Sequence, residues 1–398
     1  MLQAGVASFP SGRLLVLVCS FVLSLLIGTI LRRLTDSWWV GLSFGFLLLT
    51  LPAFRFWLYL LRADVIGVVF STFGITLYLS SEKRCYWSIP FFGLALFCKY
   101  TLLAAPAAVF IHLMLTRKFR RGAAFGLGLG AISMLAFMIL QSRTDDWFAF
   151  HMFSTHPDRY SLMQFFALGA LVWASAPVVT VLAAWYVTMD LCGGGRSFAP
   201  IYFAASTLTS LTAGKLGSTT NHFIEWMLAC CICAGLGYSW WQTKYPAKAL
   251  PMTILMCASV LVGVLVQDRP SLQPSSELVG CGAAYNYVND KSSSRVLSES
   301  LGPLLLAGKP ILVSDPFVYG QLVKHRLWPD RQVENLLNKR YFGLIVTSYD
   351  PFQFDARKPD MWPAPLVDAI ARNYRTVDRF TCRDAGVMLE PVVPSPAH

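Results

Sequence analysis

The segment GKLGSTTNHFIEW, residues 214–226, places charged and amide side chains between two long apolar stretches. Its chemically distinctive members are Lys215, Asn221, His222 and Glu225. Hydrophobic residues make up 55% of the 398-residue chain and charged residues only 14%, a balance typical of proteins with many membrane-spanning helices. Because ionisable groups beside lipid are costly, they usually belong to a functional site. The segment is therefore the first candidate for such a site.

Ten apolar stretches are candidates for membrane-spanning helices, since a helix needs roughly 20 mostly apolar residues to cross the hydrocarbon core. They lie at 14–31, 38–54, 64–80, 87–99, 101–116, 122–141, 163–187, 198–213, 223–241 and 249–266. Pro52, Pro90 and Pro106 shorten or interrupt the second, fourth and fifth. Broken helices are tolerated where neighbouring helices or a water-filled cavity satisfy the freed backbone groups. They favour a transporter or an enzyme over a simple anchor.

The apolar stretches end near Val266, and a Pro/Ser-rich linker, DRPSLQPSSE (268–277), follows them. Beyond the linker the chain has ordinary charge and turn chemistry. The sequence therefore predicts a mainly α fold: a polytopic transmembrane helix bundle over 1–266 and a small C-terminal α/β extracytoplasmic domain over 267–398.

Short apolar runs bounded by Pro, Asp and Gly predict buried strands in the C-terminal domain, at PILVSD (310–315) and FGLIVTS (342–348). Helical spacing predicts helices at DRQVENLLNKR (330–340) and PLVDAIARNY (365–374). The acidic residues at strand ends and loops are interpreted as turn residues: Asp315, Asp350 and Asp355. Two cysteines fall in this domain, Cys281 and Cys382, and an oxidising compartment would allow them to pair.

Lys and Arg in the short loops indicate which side of the membrane is cytoplasmic. One set of alternate loops holds Arg32, Arg33, Lys83, Arg84, Arg117, Lys118, Arg120, Arg121, Arg196, Lys244 and Lys248. The opposite loops mix fewer cations with acidic, amide and histidine side chains: Asp64, Asp145, Asp146, His151, His156, Asp158, Asn221, His222 and Glu225. The pattern predicts an inner-membrane protein with both termini outside and a periplasmic C-terminal domain. The net charge of +11 comes mostly from the cytoplasmic loops, so it does not indicate nucleic-acid binding.

The segment LPAFRFWLYLLRADVIGVVF (51–70) carries Arg62 and Asp64 at the predicted outer end of the third span. An acidic residue in the first turn of a helix is stabilised by the helix dipole, which gives this pair a structural interpretation. A functional interpretation has similar support, because charge at the membrane boundary is costly. Both interpretations remain open on the sequence alone.

The segment GLALFCKYTLLAAP (93–106) places Lys99 between two apolar stretches, away from the basic cytoplasmic loops. A long side chain at this depth can snorkel to the interface. Arg62 and Lys215 are nevertheless predicted at the same outer face. Cations that converge on one face suit an anionic lipid head group or a phosphate.

Four segments in this order resemble the RgtA/B/C/D-like group of GT-C membrane glycosyltransferases: SGRLL (11–15), LRADVIGVVFSTFGITLYL (61–79), GLALFCKYTLLAAPAAVFIHLML (93–115) and GKLGSTTNHFIEW (214–226). The C-terminal segments ILVSDPFVYGQL (311–322), RYFGLIVTS (340–348) and PLVDAIARNYRTVDRF (365–380) are similar to the soluble tail of that group.

The resemblance implies transfer of a sugar from a polyprenyl-phosphate donor to an acceptor at the outer face of the inner membrane. The acceptor would be a cell-envelope glycan such as lipopolysaccharide, a lipid or a protein. Asp64 matches an acidic position of the family, as a general base or metal partner, so a divalent metal is left open as a cofactor. The expected substrate-binding residues are Arg62, Lys99, Lys215, Asn221, His222 and Glu225.

One departure from the family concerns its principal acid, which normally lies in a large first outer loop ahead of the segment where this sequence begins. The departure leaves three interpretations: a missing N-terminal helix and loop, an inactive truncated glycosyltransferase, or substitution by Asp145, Asp146 or Asp158. A lipid or solute transporter or flippase is the alternative class. Broken helices and cations in the membrane support it, whereas an internal inverted repeat, typical of many transporters, is not evident.

Overall fold

The computed structural model describes residues 5–58, 60–154, 160–215, 217–267, 282, 285–290, 295–299, 301–328, 331–347, 350, 352, 362–382 and 384–392. The chain forms two compact units. One comprises the described residues within Pro10–Leu140 and Asp158–Arg269, here called the bundle unit. The other comprises those within Met1–Phe9, Gln141–Pro157 and Pro270–His398, here called the soluble unit after the predicted C-terminal domain that makes up most of it. Cys281, Asp158 and Asp355 lie outside the described residues, so the expectations for them stay predictions.

The described residues from Gly5 to Gln267 are mainly helical, as the composition predicted. Its helices are α1 (Gly5–Thr35), α2 (Trp38–Thr50), α3 (Pro52–Arg55), α4 (Ala63–Ser80), α5 (Ser88–Cys98), α6 (Ala104–Leu115), α7 (Phe119–Arg143), α8 (Trp147–Ala149), α9 (Leu162–Ala174), α10 (Pro177–Cys192), α11 (Phe198–Ser210), α12 (Ile224–Lys244) and α13 (Ala249–Gln267). Short 3₁₀ turns lie at Glu82–Cys85, Leu211–Gly214, Thr220–Phe223 and Pro246–Lys248, and a π turn at Phe150–Ser154.

Within the described residues, five helical segments are long and apolar enough to cross a membrane individually: Ser11–Thr35, Ala63–Ser80, Phe119–Arg143, Thr220–Lys244 and Pro246–Leu265. The candidate span at 163–187 is not one continuous helix: α9 and α10 meet at an angle of 102° and form a broken span or a re-entrant loop. Pro177 opens α10, and a proline cannot donate the backbone hydrogen bond that would continue the preceding helix. The count of ten spans stays a prediction.

α12 lies at the centre of the bundle, where every residue from Ile224 to Gly237 is buried. A helix that is apolar on all sides is stable only inside a bundle or in lipid. α12 packs against α2, α10 and α11. Its first turn contains residues 224–226, the end of the polar 214–226 segment, so the most buried helix carries that end into the bundle interior.

α1 and α2 pack with their backbones almost in contact, through three glycines. A Cβ atom added at Gly45 would lie 2.3 Å from the carbonyl oxygen of Ser24, and one at Gly41 would lie 2.5 Å from that of Gly28. Small residues allow this close approach, which is a main source of helix association in membranes. The 38–54 region therefore depends on glycine for its place beside α1.

The two ends of α4 carry different chemistry. Asp64 lies in its first turn and Ser80 at its last residue, about 24 Å apart at 1.5 Å per residue. Arg33 bonds the Ser80 end, donating to the hydroxyl of Ser80 and, at 3.1 Å, to the carbonyl oxygen of Thr76. This basic residue, predicted to be cytoplasmic, therefore lies at the opposite end of α4 from Asp64.

The soluble unit contains a four-stranded mixed sheet of order β1-β2-β4-β3, formed by β1 (Val296–Ser298), β2 (Leu344–Thr347), β3 (Tyr374–Cys382) and β4 (Asp384–Pro391). β1 and β2 are parallel and the other pairs antiparallel. Helices lie at Leu301–Leu306, Pro316–Lys324, Gln332–Asn338 and Ala364–Asn373, with residues 285–290 also helical. The predicted α/β class, the strand within 342–348 and the helices within 330–340 and 365–374 are confirmed.

The predicted strand at 310–315 is wrong. Both edges of the buried strand β2 are already paired, with β1 and β4, so no position remains for this segment beside it. Val313 instead packs into the core of the unit without strand pairing. Asp315 has the predicted turn role: its carboxylate accepts from the amide of Val318 at 3.0 Å and caps the Pro316–Lys324 helix.

We expect Gly45→Ala to lower the free energy of unfolding by about 1 to 3 kcal/mol, because the new methyl group meets backbone that cannot rotate away. The matched control is Gly130→Ala in α7, where the added Cβ meets nothing within 4 Å. Thermal unfolding of both purified variants in the same detergent measures the difference. Equal midpoints would contradict the close packing of α1 and α2.

Candidate active site

Asp64 is a buried carboxylate that receives hydrogen bonds from three separate segments. Lys99 Nζ donates to Oδ1 at 2.5 Å, and Asn221 Nδ2 donates to the same oxygen at 2.7 Å. Arg62 Nε donates to Oδ2 at 3.0 Å. The exposed fractions of the side chains are 6% for Asp64, 15% for Lys99 and 53% for Arg62. The cluster is therefore closed on the Lys99 side and open to its surroundings on the Arg62 side.

Interrupted helices bring these residues together. Arg62 is the extended residue that precedes α4, so Asp64 falls in the first helical turn, where the helix dipole stabilises negative charge. α5 ends at Cys98 and leaves Lys99 in an extended conformation before α6 begins at Ala104. In a continuous 87–116 helix, Lys99 would have had a helical backbone conformation instead of this extended one. The break in the apolar sequence is what gives its ammonium group access to Asp64.

The loop that carries Asn221 is fixed by residues at the start of α9. Gln164 Nε2 donates to the carbonyl oxygens of Ala213, Lys215 and Ser218, at 3.2, 2.8 and 3.3 Å. Tyr160 forms a β-bridge with Lys215, and a side chain at Gly214 would collide with the Tyr160 ring at 2.6 Å. The glycine thus permits close packing of the loop against Tyr160.

Side chains of the 3₁₀ turn Thr220–Phe223 reach in different directions. Asn221 accepts from the Thr219 hydroxyl at 2.9 Å through its own oxygen, which orients its amide nitrogen towards Asp64. Trp57 Nε1 donates to the Thr220 hydroxyl at 3.2 Å, and the Arg62 guanidinium lies over the Trp57 ring, 5.5 Å from its centroid. Asn221 therefore belongs to the Asp64 cluster and does not serve as a helix cap.

Glu225 lies in a separate buried position behind the cluster. Its carboxylate accepts from the Ser71 hydroxyl at 3.1 Å and from the backbone amides of Ala104 and Ala105. These amides belong to the first turn of α6, whose N–H groups have no partner within the helix. Glu225 therefore caps α6 from α12 and holds the end of the loop that carries Lys99.

The remaining predicted site residues lie beside the cluster. His222 Nδ1 pairs with the Thr212 hydroxyl at 2.8 Å, which joins the two 3₁₀ turns of the loop. Lys215 shapes the same loop through its backbone. The structure thus brings Arg62, Lys99 and Asn221 onto Asp64, places Glu225 behind them and gives His222 a contact within the loop.

Sequence reasoning missed the supporting residues, notably Gln164, Trp57 and Ser71. Each is an ordinary residue in an apolar helix or at its end, and no local pattern marks it. Asp145 and Asp146 adopt left-handed backbone conformations after α7, and the Asp146 carboxylate accepts from Gln141 at 2.8 Å. Within the described part of the chain, no group of three or more His, Cys, Asp or Glu side chains could hold a metal ion.

The fold is that of a polytopic membrane helix bundle with a small α/β unit after its last helix. It is similar to the crystal structure of ArnT from Cupriavidus metallidurans in the apo state, with a TM-score of 0.58 and 14% sequence identity. The match covers 94% of this chain and 83% of that one. The chain therefore shares its overall fold with that protein. No protein-family model and no curated protein matches the sequence, and the RgtA/B/C/D-like resemblance stays a prediction.

Replacing Glu225 by Leu should lower the free energy of unfolding by about 2 to 4 kcal/mol, because two buried amides and a hydroxyl lose their acceptor. Glu225→Gln keeps one acceptor oxygen and should lose less. Ser71→Ala is the matched variant on the partner side and should lose about 1 kcal/mol. Thermal unfolding in one detergent tests the order. A Leu variant as stable as the parent protein would show that Glu225 does not cap α6.

Proposed function

We propose that the chain is a membrane glycosyltransferase that moves a sugar from a polyprenyl-phosphate donor to a cell-envelope glycan, lipid or protein. The observation that carries the proposal is the Asp64 cluster in a GT-C-like bundle. A buried carboxylate beside two cations provides both charges that this reaction needs in one place. A hydroxyl must lose a proton while a phosphate gains negative charge.

The cations would receive the donor phosphate. Arg62 is the more exposed of the two, and a guanidinium binds phosphate through two parallel hydrogen bonds. Lys99 lies deeper, as a compact charge between Asp64 and the carbonyl oxygen of Asn221. When the bond between the sugar C1 atom and the phosphate oxygen breaks, the departing phosphate gains negative charge. Fixed cations stabilise that charge without reorganisation.

The two oxygens of Asp64 differ in what they can do. Oδ1 accepts from both Lys99 and Asn221, which occupies its lone pairs. From the described residues, Oδ2 accepts only the Arg62 bond, so it retains capacity on the exposed side. In our proposal an acceptor hydroxyl donates its proton to Oδ2 as its oxygen bonds to the sugar C1 atom. Oδ1 meanwhile holds Lys99 and Asn221 in position.

Asp64→Asn should abolish most of the transfer, because the amide has nearly the same shape but cannot take the proton. Arg62→Met and Lys99→Met should each lower transition-state stabilisation by about 1.5 to 3 kcal/mol, which is roughly a ten- to hundredfold fall in rate. The assay uses membranes that contain the full chain, with a labelled polyprenyl-phosphate sugar. Product formation is normalised to protein abundance.

Lys248→Met is the matched control for the cation variants. Its ammonium contacts the Tyr245 ring, beyond the last residue of α12 and away from the Asp64 cluster. Transfer in this variant should equal that of the parent protein. Unchanged transfer in Asp64→Asn at normal abundance would refute the proposed site, and movement of the lipid-linked sugar across the membrane without transfer would favour a flippase.

We further propose that the protein lies in the inner membrane with its C-terminal domain in the periplasm, as the distribution of basic loops favours. Alkaline phosphatase fused after His398 should then be active, because it folds only in an oxidising compartment. A green fluorescent protein fused at the same position should be dark when exported through the Sec pathway. The opposite pair of results would reverse the proposed orientation.

A further inference from the structure

A second candidate site lies entirely within the soluble unit, outside the Asp64 cluster. It is a cavity of about 490 Å³, which falls in the size range of small-ligand pockets. One wall comes from the segment after α7, with Trp147, Phe150 and His151. The other comes from residues around the Pro316–Lys324 and Gln332–Asn338 helices, among them Asp315, Tyr319, Trp328 and Gln332.

Aromatic rings from both walls meet at this cavity. The Trp147 and Trp328 ring centroids are 5.6 Å apart with an interplanar angle of 42°, and Phe150 lies 6.1 Å from Trp328. Trp147 is 47% exposed, although a large apolar ring is normally buried where it can be. A half-exposed tryptophan that lines a cavity leaves a face of its ring available to a ligand.

The segment that carries Trp147 is held in place by hydrogen bonds of its own. Gln141 Nε2 donates to the Asp146 carbonyl and carboxylate oxygens at 3.1 and 2.8 Å, and Gln141 Oε1 accepts from the amide of Ala149 at 2.7 Å. Thr144 accepts from the amide of Phe148 at 3.0 Å. Asp145 and Asp146 adopt left-handed conformations to make this turn, which short polar residues tolerate best after glycine. The Trp147 ring is therefore held at the cavity by a hydrogen-bonded turn.

Polar side chains complete the lining: His151, Ser314, Asp315 and Gln332. The described residues that line the cavity include no lysine or arginine, so nothing there favours a phosphate or another anion. A contrasting groove between α10, α12 and α13 has only apolar and aromatic lining, including Val181, Trp185 and Leu255. That composition suits an acyl chain, whereas the cavity in the soluble unit combines ring faces with neutral or acidic hydrogen-bonding groups.

We propose that this cavity binds the pyranose rings of a neutral glycan. A pyranose has one face of C–H groups and a rim of hydroxyls. The C–H face carries slight positive charge and complements the negative face of an indole ring. The hydroxyls would bond the carboxylate, amide and imidazole groups of the lining. Identification of this glycan as the acceptor rests on the proposed function, but its binding does not.

The test measures binding by the full chain without any transfer reaction. The protein is reconstituted into phospholipid nanodiscs, because maltoside and glucoside detergents would themselves present pyranose rings. Maltotriose, chitotriose and mannotriose are added separately, and saturation-transfer difference NMR detects contact with their ring protons. Sorbitol, an open-chain polyol, is the control ligand. At least one trisaccharide should bind saturably at millimolar concentration, and sorbitol should not.

Trp147→Ala and Trp328→Ala should each weaken that binding about three- to tenfold, the loss expected for one aromatic face. Trp147→Phe keeps a ring face and should lose less. Leu327→Ala is the local control, since Leu327 is exposed beside Trp328 but does not line the cavity. Unfolding midpoints confirm that each variant is folded.

Absence of binding by all three trisaccharides would overturn the proposal. So would binding that is unchanged in both alanine variants, or saturable binding of a fluorescent fatty acid at this cavity in place of the sugars. Because the binding readout requires no donor, failure of the glycosyltransferase assay would leave the result interpretable. An inactive protein that binds the trisaccharide would refute only the proposed function.

Discussion

The geometry of the site depends on one buried carboxylate, that of Asp64. Taking a charge out of water is costly unless nearby partners compensate it, and Asp64 has three such partners on three segments. The start of α4, the break between α5 and α6 and the 214–223 loop must therefore all be in place together. Loss of one partner leaves the others with an unbalanced charge. The interaction consequently constrains distant parts of the chain as one unit.

Two acids at the same end of the bundle have different environments and hence different uses. Asp64 keeps one side towards the exposed Arg62 guanidinium, whereas Glu225 is enclosed by the Ser71 hydroxyl and the α6 amides. Buried helix ends require acceptors and donors for their free backbone groups. Glu225 satisfies this requirement where lipid cannot. It also holds the end of the loop that carries Lys99, and its predicted contact with substrate stays a prediction.

Interrupted helices are the structural condition for such a cluster. Irregular backbone is stable at membrane depth only where protein or a polar cavity surrounds it. The 99–103 break and the 3₁₀ turns before α12 supply that backbone here. The overall fold is shared with ArnT at only 14% sequence identity, so the architecture tolerates wide change in side chains. The chemistry must therefore be argued from the residues of this chain.

The sequence by itself determined the class and most of the candidates. Apolar composition predicted the helix bundle, and the cost of charge beside lipid singled out Arg62, Asp64 and Lys99 before any contact was known. Asn221 was singled out as a polar residue between apolar stretches. In the soluble unit, helical spacing was sufficient for the 364–373 helix, since Leu366, Val367, Ala369 and Ile370 all face one core.

Only the tertiary structure decided which partner each group takes. Glu225, like Asp64, is an acidic residue beside an apolar stretch, yet it caps α6. Its position in the first turn of α12 places its carboxylate against the free backbone amides of α6. The apolar 310–315 run could not be distinguished from a strand, since pairing depends on which neighbours occupy the edges of β2. Likewise, the walls of the Trp147 cavity bring together residues that lie far apart in the chain. The bend between α9 and α10 occurs where Pro177 begins the second helix. Such long-range choices are made by packing, which local sequence patterns do not encode.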